Sequence, residues 1–166
     1  MLEPALTQTE DHLHNPLWRF ALEFYGYPGV QEWMLRSQDE FGADVCLLLW
    51  ASYLQCEGVP LGQELWEVAD RRLAPRRRML KSVRRLRRRL KGWPRAQRLY
   101  ERLKAMEIRM EQRQLQALWG LRADDRWPSD GAALEVAARA SNLPAKEKAR
   151  WAGLLEHFNV DRVIGR

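Results

Sequence analysis

A chain of 166 residues with 46% hydrophobic side chains can bury a sizeable core without disulfide or metal staples. Its 28 Lys and Arg against 22 Asp and Glu give a net charge of +6, yet residues 1–70 hold twelve acids with only Arg19 and Arg36, and residues 71–104 hold sixteen bases with only Glu101. No glycine-rich phosphate loop, nucleophile–histidine pairing or complete ligand set accompanies this segregation, so the sequence favours a binding role over catalysis and calls for no cofactor.

The N-terminal stretch MLEPALTQTEDHLHN is acidic and lacks the basic and apolar regions of a secretory signal. Residues 1–14 read as a flexible acidic tail, and 15–166 as a single helical domain. Asn15-Pro16 opens a first helix, with Leu17, Phe20, Ala21 and Phe24 on one face and Gly26 as its stop. Pro28 starts a second, striped by Val30, Trp33, Met34 and Phe41 and ended by Gly42. Asp44 then precedes VCLLLWASYL, which is apolar around its whole circumference and about half as long as a membrane span. A helix of that kind, over 45–57, belongs at the centre of a bundle. Cys46 and Cys56 lie about 15 Å apart along it, beyond disulfide reach, and two reduced thiols suit a cytoplasmic protein.

Gln63 to Leu73 predicts a further helix with Leu65, Trp66, Ala69 and Leu73 inward, and Pro75 restarts the chain. PRRRMLKSVRRLRRRLKG carries a narrow stripe of Met79, Leu80, Val83, Leu86 and Leu90 among arginines, and Gly92 ends it. Trp93-Pro94 opens the longest predicted helix, 94–120, with Leu99, Leu103, Met106 and Met110 on one face. Ser129 and Asp130 start an alanine-rich helix, and Pro144 starts the last, with Trp151, Leu154, Leu155 and Phe158 inward. No alternating β-branched run appears. The expectation is an all-α, compact bundle of seven or eight helices around the central apolar helix, with a basic helical hairpin at 76–120. Eight tryptophans spread along the chain suit short helices wedged together, with one or two left over for a binding surface.

Function rests on the basic segment. Arg76, Arg77, Arg84, Arg85, Arg87, Arg88, Arg89 and Arg95 present guanidinium forks along one hairpin, a polyanion-binding pattern that fits RNA or a ribonucleoprotein. Like charges at (i, i+4) repel by a few tenths of a kcal/mol per pair, so the density is unfavourable until an anion offsets it. That anion is a nucleic acid, an acidic protein partner, an anionic membrane surface, or the acidic residues 1–70 folded back within one chain or across a homo-oligomer. No aromatic RNP motif, GXXG loop, zinc spacing or heptad zipper is present, so any nucleic-acid contact is expected to run through the backbone. The metal readings are thin. His12 and His14 have only the remote His157 to join them. Asp39, Glu40 and Asp44 follow the spacing of magnesium-diphosphate enzymes but lack a second acidic motif.

One stretch carries a resemblance. LWRFALEFYGYPGVQEWMLRSQDEFGADVCLLLWASYL, residues 17–54, resembles the signature of a small family of uncharacterised proteobacterial proteins: LWxFAxxxY, a proline-glycine turn, a glutamine-aspartate pair and a GADVxLLL helix. It covers about a quarter of the chain and implies a bacterial, cytoplasmic, helical protein, with no activity or ligand attached. The arginine-rich segment lies outside it, and so reads as less typical of that family than the acidic head.

Overall fold

The computed structural model describes residues 15–121 and 131–165. Among them the chain is all-helical: α1 (Pro16–Tyr25), α2 (Val30–Phe41), α3 (Val45–Cys56), α4 (Gln63–Leu90), a 3₁₀ turn (Pro94–Ala96), α5 (Gln97–Trp119), α6 (Ala133–Ala140) and α7 (Ala145–Ile164). The expected acidic tail with its His pair, and the expected cap at Ser129 and Asp130, lie outside the described residues.

The caps follow from short polar side chains. Asn15 Oδ1 accepts the Trp18 amide at 2.9 Å, and Asp44 Oδ1 accepts the Leu47 amide at 3.1 Å. Gly42 takes the left-handed conformation that closes α2. Each of these binds donors or acceptors that helix ends leave open.

α3 is the buried centre. Cys46 to Ser52 and Leu54 are all shielded from solvent, and α1, α2, α5, α6 and α7 pack around them. A helix apolar on all sides is stable where other helices wrap it. Two tethers lock its surroundings. Gln55 Oε1 accepts the Leu134 amide at 3.1 Å and so caps α6 from α3, while Trp151 Nε1 on α7 donates to Ser52 Oγ at 2.9 Å. Ser52 in turn donates to the Leu48 carbonyl at 2.8 Å. Trp33 and Trp151 stack with centroids 5.3 Å apart, and Phe20, Phe24 and Phe158 meet at 5.0–5.6 Å.

Pro75 does not divide the chain. α4 runs 28 residues straight through it, and is the longest helix, whereas α5 begins only after the 3₁₀ turn. An interior proline costs about 3 kcal/mol in an isolated helix. Here its ring points to solvent, and the Arg71 carbonyl it leaves open sits on an exposed turn where water can reach. The buried stripe Leu65, Trp66, Ala69, Leu73, Leu80 meanwhile passes the proline without a break, because Leu73 and Leu80 are two turns apart. Tertiary packing therefore outweighs the local breaker.

Burial pushes both thiols up: Cys46, sealed beside Asp44, well above its ordinary value, and Cys56 to about 11. At pH 8 Cys56 should alkylate roughly 100-fold more slowly than a free thiol, since the thiolate is the reactive form, and Cys46 should label only on unfolding. A time course by mass spectrometry in which Cys46 is modified first would contradict this packing.

Candidate polyanion interface

α4 and α5 form an antiparallel hairpin turned by Gly92, whose φ of 85° is left-handed. Leu80 and Leu103 are buried inside the hairpin yet do not join the main core. The distal half is thus held mainly by its own two helices, and it carries the arginines away from the bundle.

The eight candidate arginines divide by helical face. Arg77, Arg84 and Arg87 turn inward with Leu80 and are spent on carboxylates. Arg77 bonds Asp44 at the start of α3, and Asp70 at 2.7 Å. Arg84 bonds Glu111 and stands 3.7 Å from the buried Glu107. Arg87 binds Glu107 through two nitrogens, and its guanidinium lies 5.7 Å from the Tyr100 ring centre. Burial alone would lower the proton affinity of Arg77, and its two carboxylates more than reverse that. Glu111 goes the other way: desolvation raises its pKa against the pull of Arg84.

Arg76, Arg85, Arg88, Arg89 and Arg95 are exposed and make no ion pair among the described residues. Arg78 and Arg85 stand two turns apart on the outer face of α4, as do Lys81 and Arg88, and Arg98 and Arg102 extend the charge along α5. Among the described residues, the acids of the head do not neutralise this surface. Glu23 and Glu32 face Arg162 and Arg150 on α7, Glu40 faces Arg36, and among the described residues 15–70 only Asp44 and Asp70 reach a hairpin arginine, the same Arg77.

A second feature was missed by periodicity. Met79, Leu86, Leu99 and Met106, which their spacing sets on the apolar stripes of the two helices, are 45–59% exposed, and Trp93 at the tip is 63% exposed. In the distal half, where the two helices pair mainly with each other, there is one seam to fill, and Leu80 and Leu103 fill it. The remaining apolar positions are left along the seam's edge.

The acidic trio comes together only in part. Asp39 and Asp44 line a cavity of about 220 Å³ with Arg77, Lys81 and Arg84, while Glu40 points to Arg36. Both Asp44 oxygens are engaged, one by the Leu47 amide and the other by Arg77, and the wall carries more cations than carboxylates. Among the described residues no group of three or more His, Cys, Asp or Glu is placed to hold a metal ion. No described helix is long and apolar enough to cross a membrane.

Residues 16–118 match the family described as a protein of unknown function, DUF2390. The match takes in the acidic head and nearly the whole basic hairpin, so the arginine-rich segment lies within the family's span rather than outside it. No curated protein and no solved structure matched the chain.

Proposed function

The chain belongs to that family, whose description names no activity, and from the hairpin itself we propose that it is a non-enzymatic binding protein that engages a polyanion, RNA or a ribonucleoprotein, through the outer arginines. The observation that carries this reading is that Arg76, Arg85, Arg88, Arg89 and Arg95 are exposed and make no ion pair among the described residues, while their inward neighbours are neutralised. Unpaired arginines in adjacent turns repel, and phosphates replace that repulsion with charge-assisted bonds while releasing condensed counterions. The working compartment in this reading is the cytoplasm, where RNA is abundant.

The test is the salt dependence of binding to two unrelated single-stranded RNAs. Wild type should bind both alike, with log affinity falling linearly in log salt. Changing the five arginines to glutamine should flatten that slope by about 3.5, at about 0.7 per lost phosphate contact on a single strand. Binding that ignores salt, or a variant that binds as wild type does, would refute the proposal.

One observation favours a second reading. The exposed Met79, Leu86, Leu99 and Met106 lie along the same hairpin, and an apolar stripe set among arginines suits an amphipathic helix with acidic flanks from a partner protein. Such an adaptor would keep its partner through high salt and nuclease treatment, whereas an RNA would be lost.

A further inference from the structure

Trp93 is the odd tryptophan of this molecule. Trp33, Trp50, Trp66 and Trp151 are buried, and Trp18 and Trp119 pack against the core. Trp93 alone among the described tryptophans stands clear, 63% exposed at the tip of the hairpin. Its indole makes no hydrogen bond, ring stack or cation contact among the described residues. The tip around it is built stiffly. Gly92 supplies a left-handed turn, Pro94 fixes the next backbone angle, and the Ala96 amide closes onto the Trp93 carbonyl at 2.9 Å. A shallow hollow of about 300 Å³ is formed by Gly92, Trp93, Pro94 and Arg95. Lys91 and Arg95 flank the ring in sequence, and Arg88, Arg89 and Arg98 lie within about a turn of the tip, all exposed.

A large aromatic surface held in water loses the burial that normally stabilises it, so its position on a rigid tip calls for an occupant. The chemistry of the surroundings selects one. An unpaired nucleobase offers a flat face to stack on the indole and carries its own phosphates to the adjacent guanidinium groups. A base inside a duplex has both faces covered and cannot do this. A lipid surface would take up the indole as well, but a single ring is little apolar area for insertion, and the next exposed apolar side chains, Leu86 and Leu99, lie about a turn or more back along the helices.

We infer that Trp93 is a stacking platform for an unpaired base, and that the hairpin therefore selects single-stranded or looped RNA over duplex. This rests on the polyanion reading, and the experiment separates the two. Binding of a labelled 12-nucleotide oligouridine and of a blunt 12-base-pair RNA duplex is measured by anisotropy for wild type, Trp93→Ala, Trp93→Phe and the five-arginine variant. Trp93→Ala should weaken oligouridine on the order of 10-fold, since a stacked base contributes about 1–3 kcal/mol. It should leave the duplex within about twofold and the salt slope unchanged, and Trp93→Phe should recover most of the loss. Equal losses on both RNAs, or no loss on either while the arginine variant fails on both, would overturn the stacking role and leave the polyanion reading standing. Wild type binding neither RNA would remove both. Trp93-dependent binding to phosphatidylglycerol vesicles, with oligouridine unaffected by the substitution, would assign the tip to membranes instead and overturn the inference.

Discussion

Trp151→Ala lowers the free energy of unfolding by about 3–5 kcal/mol, as measured by the denaturant midpoint at unchanged slope. The ring is fully buried, stacked on Trp33, and tied through Nε1 to Ser52 on the central helix. Its loss leaves a cavity at the meeting point of α2, α3 and α7. Trp33 also loses its stacking partner, although its own Nε1 stays bonded to Glu147 at 3.1 Å. Against a typical total of about 5–15 kcal/mol, a loss of this size removes a large share of stability. Trp151→Phe, which keeps a ring but drops the donor, should cost roughly half as much. A cost below about 1 kcal/mol for the alanine variant would mean that α7 is not docked on α3 as described.

How far the sequence foretold this arrangement depends on which force decided each element. α3 was legible because its sequence carries no polar face at all, and Asp44 was legible as its cap because a carboxylate before an apolar run has one common use. Pro75 misled because a local rule about a missing amide was set against a stripe that continues from Leu73 to Leu80, and packing prevailed. Met79, Leu86, Leu99 and Met106 misled for the converse reason: helical spacing says which residues share a face, and not whether a neighbour comes to cover it. In the distal half of the hairpin, among the described residues, the main neighbour is the other helix.

The arginine-rich run was visible as density, but its division into paired and free members was not. Arg84 and Arg85 are adjacent in sequence and 100° apart around the helix, so one meets Glu107 and Glu111 while the other faces water. Glu107 and Glu111 were overlooked because each is one acid among many bases. The signal that marks them is their own (i, i+4) spacing on α5, which puts two carboxylates on the side of the seam where Arg84 and Arg87 arrive.

That placement makes Glu107 the second position with a large expected effect. Its carboxylate is buried and serves two guanidinium groups, Arg84 and Arg87, across the hairpin seam. Removing one partner of a buried ion pair typically costs about 3–5 kcal/mol because the other charge is stranded. Arg84 and Arg87 retain 21–22% of their side-chain exposure and can turn partly to water, so Glu107→Ala should cost about 2–3 kcal/mol, concentrated in the distal hairpin. Hydrogen exchange should report this as faster exchange in residues 80–107, with α3 unaffected. Binding should move the opposite way. The variant frees the Arg87 guanidinium, leaves Arg84 with Glu111 alone and removes one negative charge, so at a temperature where it remains folded its affinity for single-stranded RNA should equal or exceed that of wild type, with a steeper salt slope. A protein whose hairpin serves only as internal packing would lose stability and gain nothing. Loss of RNA affinity in step with loss of stability would therefore count against the outer arginines as the binding surface, and a gain would place the function of this hairpin in the charge that it leaves unpaired.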